Sequence, residues 1–200
     1  MRTVTYGAAC SLDGFITARD GGLDWLHFSR DVEKAMASYW ATVDTILMGR
    51  KTWEAAMAQG AADSTAAAGA DEGGRGKAVA SDAAASSEDG EATATYVFSR
   101  TLREVPAGVQ LVGSDAGEFV RALKEQPGKG ICVLGGGELG RSLFEAGVID
   151  ELGLNIHPVL LGSGVPLFRD AGQDINLELC ESRVIDGGCV YSTYRVRRDR

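Results

Sequence analysis

Short apolar runs rich in β-branched residues alternate along this chain with stretches whose apolar positions recur every three or four residues. The first kind reads as buried strand and the second as one-sided helix. Thr3 to Leu12 (TVTYGAACSL) predicts a strand that ends in an Asp13-Gly14 turn. Residues 18–26 form a glycine-rich loop with Trp25 near its end. In 31–43, Val32, Ala35, Met36, Tyr39, Trp40 and Val43 share a helical face, with Ser29 or Asp31 as the cap. Further strands are predicted at 44–48, 96–99, 109–112, 131–134 and 151–159, and helices at 51–58, 119–125 and 138–146. Two last strands, 177–185 and 190–197, flank Asp186-Gly187-Gly188, a hairpin signal. Strands that alternate with helices and then close on strands alone predict an α/β fold. Its sheet is mainly parallel, covered by helices on both faces and edged by an antiparallel hairpin.

One stretch breaks the pattern. Residues 60–94 hold 13 Ala, 6 Gly, 7 acidic residues and a lone Val79. With so little to bury, such a segment cannot offset its ordering entropy. It reads as a flexible low-complexity insertion in an otherwise single domain, and its six glycines argue against a stable helix. A surface expansion is the plainer reading; a flap over an active site or a partner tether is the functional one. The segment carries five of the eight net negative charges of the chain. An acidic chain is a poor general binder of nucleic acid.

Cys10, Cys132, Cys180 and Cys189 form no C-x-x-C pair, and His27 and His157 stand far apart, so no metal site is expected. The opening MRTVTYG lacks an apolar signal region and no run is long enough to span a membrane, so a reduced, cytoplasmic setting is expected.

The candidate chemistry lies at two strand-to-helix junctions. Gly49-Arg50-Lys51-Thr52 follows the 44–48 strand, and Gly135-Gly136-Gly137-Glu138-Leu139 follows the 131–134 strand. Unpaired N–H groups at a helix start carry partial positive charge and suit phosphate. Two such cradles suit a ligand with two phosphate regions, such as a dinucleotide. The glycine pattern is not the G-x-G-x-x-G fingerprint of a Rossmann domain.

Ser11-Leu12-Asp13-Gly14-Phe15-Ile16, Leu47 to Trp53, Val97 to Leu102, Leu134 to Leu139, Val148 to Leu152 and Pro158 to Phe168 occur in that order. Together they resemble the stand-alone proteins related to the C-terminal reductase domain of the bifunctional riboflavin deaminase-reductase. The resemblance implies a three-layer dihydrofolate reductase-like fold, NADPH as hydride donor and a small substrate that is pteridine- or pyrimidine-like. It implies that Gly49, Arg50, Lys51 and Thr52 hold phosphate, with Arg50 on the 2′-phosphate. Ser99 and Arg100 would line the adenosine side, and Gly135, Gly136, Gly137, Glu138 and Leu139 the pyrophosphate. Folate enzymes carry a proton-relay carboxylate on the helix that corresponds to 31–43. This nominates Asp31, where burial would favour a proton-carrying carboxyl, although Asp31 equally suits a helix cap. Asp13 is a second catalytic candidate and, more simply, a turn former. Trp25 and Pro158 are candidates for the substrate side, and His157 reads as a packed core residue. The riboflavin reductases typically have an acidic residue before Gly-Gly; here Leu134 or Gly135 stands there. The resemblance therefore speaks more to coenzyme and reaction class than to substrate. The riboflavin-pathway step, reduction of 5-amino-6-(5-phosphoribosylamino)uracil, is one alternative, and a non-catalytic nucleotide-binding module is another. A homodimer through sheet-edge or late-strand surfaces is also expected from the resemblance.

Overall fold

The computed structural model describes residues 1–27, 29–66, 93–168 and 174–198, with 59–66 described by their backbone. The apolar runs become the strands of an eight-stranded sheet. In chain order these are β1 (Val4–Ser11), β3 (Val43–Gly49), β4 (Ala94–Phe98), β5 (Val109–Val112), β6 (Gly130–Leu134), β7 (Glu151–His157), β9 (Leu177–Ile185) and β10 (Cys189–Val196). They lie side by side as β5-β4-β3-β6-β1-β7-β10-β9. The six from β5 to β7 run parallel, and β10 is antiparallel to both its neighbours. This is the predicted architecture. The hairpin turn is also as predicted, with Gly187 and Gly188 at φ 82° and 77°.

Alternation along the strands decides which helix covers which face. Ile131 and Val133 join Val4, Tyr6 and Leu152 beneath α3 (Ala116–Glu125) and α4 (Gly137–Glu145). One residue on, Cys132 and Leu134 face the other way. They pack with Ile46, Met48, Tyr39, Trp40 and Trp53, the last three contributed by α1 (Arg30–Trp40) and α2 (Arg50–Ala66). Leu47, Val97, Ile131, Val133 and Leu143 are fully buried. Each such side chain contributes about 1.5–3 kcal/mol, which fixes the strand ends to which the loops attach.

The ends of the parallel strands differ in character. At their amino ends lie ion pairs: Arg2 with Asp44, and Asp150 with both Lys124 and Arg198. At their carboxyl ends lie the glycine-rich loops, the usual place for a ligand in an open parallel sheet.

Two features depart from the expectations. A two-stranded antiparallel ribbon, β2 (Phe15–Ala18) with β8 (Gly164–Pro166), stands where only loops were expected. Its strands are too short to show alternation, and long-range pairing rather than local propensity creates it. Helix α2 runs on to Ala66, through Gly60 and into the expected insertion. Good helix formers at Ala61 and Ala62 outweigh one glycine, which costs only about 1 kcal/mol. The remainder, 67–92, lies outside the described residues. Of the two expected caps of α1 the structure uses Ser29, its Oγ accepting the Val32 N–H at 3.3 Å. Among the described residues no helix is long and apolar enough to cross a membrane.

Candidate active site

The two glycine-marked junctions meet. β3 and β6 are neighbours with Met48 opposite Leu134, so the chain leaves both strands at the same level. A Cβ placed on Gly135 would lie 2.1 Å from Thr52 Oγ1 and 2.9 Å from Thr52 Cβ. A Cβ on Gly49 would touch Leu139 Cβ at 3.8 Å. The first turns of α2 and α4 therefore flank one groove. Gly135 also has φ 93°, a left-handed value that glycine adopts without strain. The missing Cβ at Gly135 makes room first for Thr52, and that at Gly136 for Ile16, whose Cδ1 would lie 2.5 Å away. The β2–β8 ribbon thus lies over the glycine loop.

The residues at this groove suit an anionic group. Helix α1 is capped by Ser29 and α3 by Asp115, but α4 has Gly136 at its cap position, with no side-chain capping bond among the described residues. Helix α2 has no acidic residue in its first turn and opens with Arg50 and Lys51. Arg50 Nη1 bonds Glu54 at 3.0 Å on the same helix, and both side chains are about half exposed. Such a surface pair is weak, about 0.3–0.5 kcal/mol, so it leaves the guanidinium available to a phosphate. Ser99 Oγ accepts the N–H groups of Thr101 and Leu102 at 3.2 and 2.9 Å and so shapes the turn after β4. Lys51, Arg100 and Glu138 are exposed, whereas Leu139 packs against the core.

Asp13 holds two loops together. Its carboxylate accepts Ser11 Oγ–H at 2.6 Å and the N–H groups of Leu161 and Gly162 at 3.1 and 2.7 Å. These bonds, the Ser11 hydroxyl foremost, hold its pKa below the usual carboxylate value. Asp13 is therefore ionised at neutral pH and acts as an acceptor, not as a proton donor. A folded-state pKa below the unfolded one means that its stabilisation is present at neutral pH and is lost as pH falls through the lowered value. Asp13→Ala is expected to abolish amide-exchange protection at Leu161 and Gly162 by hydrogen exchange, and acid below the ordinary carboxylate range of about 3.9 to do the same in the native chain.

Across the sheet from α3 and α4, a strip of small residues lies between the two places where α1 packs, through Tyr39 and Trp40 on one side and Val32 and Met36 on the other, and forms the floor of a candidate cleft. Gly7 lies opposite Gly153, and Ala9 opposite Asn155, on interior strands. All four are only partly buried. Trp25, at the end of the loop that leads into α1, stands edge-on to the buried His157 ring, with centroids 5.3 Å apart. Asp31 is not in this cleft floor; it is exposed on the first turn of α1, so the burial that a proton relay there requires is absent. Pro158 is exposed near the hairpin turn, 3.7 Å from where a Cβ on Gly188 would be. Cys10, Cys132 and Cys189 are buried, and burial pushes the Cys10 and Cys132 thiols up to about 11 and 12. These three cysteines are core residues; Cys180 is exposed. A separate apolar cavity of about 280 Å³, walled by Tyr6, Phe144, Leu167 and Phe168, opens on the opposite face of the sheet.

A family model described as the RibD C-terminal domain matches residues 2–191. The chain belongs to the RibD C-terminal domain family. Protein YyaP of Bacillus subtilis (strain 168), itself uncharacterized, is 33% identical over 198 residues, covering 96% of this chain and 94% of that one. A Shewanella sp. PV-4 protein named for riboflavin biosynthesis superimposes with a TM-score of 0.72 at 25% identity, covering 99% of this chain and 100% of that one. Dihydrofolate reductase from Enterococcus faecalis, complexed with NADP(H), gives a TM-score of 0.61 at 18% identity, covering 98% and 97%. The fold is dihydrofolate reductase-like.

Asn155 and Ile16 were not among the residues singled out from sequence, though each left a signal. Asparagine is depleted from strands, yet Asn155 interrupts an apolar run, two residues before His157 and so on the same face. Ile16 stands in the Ser11–Ile16 segment that contributes to the resemblance, but only the fold carries it onto Gly136.

Proposed function

We propose that this RibD C-terminal domain protein is an NADPH-dependent reductase. It would deliver hydride to a C=N or C=O group of a small pteridine- or pyrimidine-like substrate. The observation that carries the proposal is the meeting of two helix starts at Thr52 and Gly135. NADPH, when bound, supplies the hydride. The chain's own residues bind and orient. First-turn N–H groups of α2 and α4 hold phosphate oxygens, Arg50 offers a fork that matches a 2′-phosphate, and the Ser99–Arg100 turn borders the adenosine side. The ribbon over Gly136 sheds water from the glycine loop, and Asp13 fixes the loop at the mouth of the cleft. The dihydrofolate reductase complex with NADP(H) supports the coenzyme.

The test is coenzyme preference. The native chain is expected to bind and oxidise NADPH in preference to NADH. Arg50→Ala should change stability by less than about 0.5 kcal/mol but lower that preference at least about tenfold, because a charge-assisted pair is lost. Equal preference in both chains would remove Arg50 from the 2′-phosphate. The exposure of Asp31 favours a second reading, a nucleotide-binding module without turnover. Tight NADPH binding with no oxidation across pteridines, pyrimidines and small carbonyls would select it. An assay with 5-amino-6-(5-phosphoribosylamino)uracil decides whether the riboflavin-pathway step is the activity.

The proposal extends to a homodimer through β9. This edge strand is exposed from Leu177 to Val184, with Leu179 57% and Val184 76% exposed. An uncovered edge of this length invites pairing with a second copy. Sedimentation is expected to give a dimer for the native chain and a monomer for a Leu179→Lys, Val184→Lys double variant.

A further inference from the structure

The buried side chains at the end of β7 point to a residue that recognises the substrate. His157 is 2% exposed, and its Nδ1 accepts the backbone N–H of His27 at 3.2 Å. The His27 ring is seated against Gly187, where a Cβ would lie 2.2 Å from it, so this donor is fixed by the hairpin turn. A backbone N–H always carries its proton. Nδ1 must therefore be the bare nitrogen, and Cys189 Sγ, 3.4 Å away, can only donate to it. Burial, with His27 adding to it, holds the His157 pKa below the ordinary value, so the ring is neutral and its proton sits on Nε2.

That proton needs an acceptor. Asn155 is the neighbour, with its amide end 3.1 Å from Nε2 and its other end buried without a partner among the described residues. The two ends of an amide exchange by a half-turn and are assigned by their bonds. With Nδ2 towards the ring, donor would face donor and the buried Oδ1 would stay empty. With Oδ1 towards the ring, Nε2–H is satisfied. The amide NH2 then occupies the unpartnered position. Trp25, edge-on to the same histidine, also has a buried Nε1–H without a partner among the described residues. Two buried N–H groups around His157, that of Asn155 on the small-residue floor, make a corner short of acceptors among the described residues. Each unmet donor costs about 1–3 kcal/mol, which a ligand acceptor would relieve.

We propose that Asn155, oriented by His157, presents its amide N–H to the cleft as the donor that recognises a ring carbonyl oxygen of the substrate. The assignment rests on the reductase reading and narrows it to oxo-bearing heterocycles. Asn155 sets specificity, and His157 is a positioning residue that fixes which end of the amide faces the cleft.

The experiment uses the full chain loaded with NADPH. The probes are 2-amino-4-oxopyrimidine and 2,4-diaminopyrimidine, titrated where both are neutral. They differ at position 4, an acceptor in one and a donor in the other, and in one ring nitrogen, which carries a proton only in the oxo form. The expected result is about tenfold or greater preference for the oxo probe. Asn155→Asp keeps an acceptor for Nε2–H but offers the cleft an acceptor too, and should reverse the preference; Asn155→Ala should level it. Long-range ¹H–¹⁵N spectra of the native chain should show His157 protonated on Nε2, a readout independent of activity. An Nδ1-protonated His157, equal affinity for the two probes, or binding of neither to the NADPH-loaded chain would overturn the assignment. Failure of NADPH itself to bind would count against the reductase reading, and the histidine spectrum would still decide the side-chain geometry.

Discussion

Replacing Gly135 with alanine is expected to weaken NADPH binding at least a hundredfold while the chain remains folded. The new Cβ would lie 2.1 Å from Thr52 Oγ1, 2.8 Å from Cγ2 and 2.9 Å from Cβ. Thr52 is β-branched and sits at the start of α2, so rotating its side chain cannot clear all three contacts. The loop between β6 and α4 must move away from α2, which opens the groove that both helix starts flank. The left-handed φ of 93° adds strain. Together the strain, about 1–2 kcal/mol, and the overpacking, about 1–3 kcal/mol, leave a destabilised but folded chain. Gly147→Ala is the control. It has φ 64° with nothing within 4 Å of the added Cβ, so it should carry a strain cost alone and leave NADPH affinity unchanged. Calorimetric titration of both variants reads the difference. Unaltered affinity in Gly135→Ala would contradict a shared groove.

Asp150→Ala is expected to cost about 3–5 kcal/mol in denaturant unfolding, with little effect on coenzyme affinity. The carboxylate accepts the Val4 N–H at 2.9 Å, Lys124 Nζ at 2.6 Å and Arg198 at 2.8 Å. Lys124 is 4% exposed, so removing Asp150 strands a buried ammonium. Among the described residues only the Val148 carbonyl, 3.3 Å away, then remains to it. For a chain of this size the loss corresponds to a fall in Tm of roughly 10 °C. Adding Lys124→Met should recover part of it, because the orphaned cation goes with it. Asp150 lies at the amino ends of the parallel strands, opposite the groove. The two variants thus separate what holds the sheet from what holds the ligand.

How much of this could be read from the sequence depended on whether a feature's causes were local. The junctions after β3 and β6 announce themselves, because an apolar run, a glycine and an amphipathic stretch lie within a dozen residues. The hairpin at Asp186-Gly187-Gly188 does so for the same reason. Asp13 looked like a turn former and a candidate catalyst. Its role as a clamp depends on Leu161 and Gly162, which are far along the chain and brought close only by the β1–β7 pairing. The β2–β8 ribbon was invisible for the same reason. Asp31 was nominated through helical position, but a position along a helix does not fix its rotation, and the structure turns this side chain to solvent. The Asn155–His157 arrangement needed both register and tautomer, and neither is written in spacing alone.

The proposed coenzyme site requires Gly49–Thr52 and Gly135–Leu139 to form one phosphate groove. It is tested most directly by titrating ¹⁵N-labelled protein with NADPH and following the backbone amides of both segments. Both sets are expected to shift along a single isotherm with one Kd. A response confined to one segment, two different Kd values, or no shift at millimolar NADPH would contradict it.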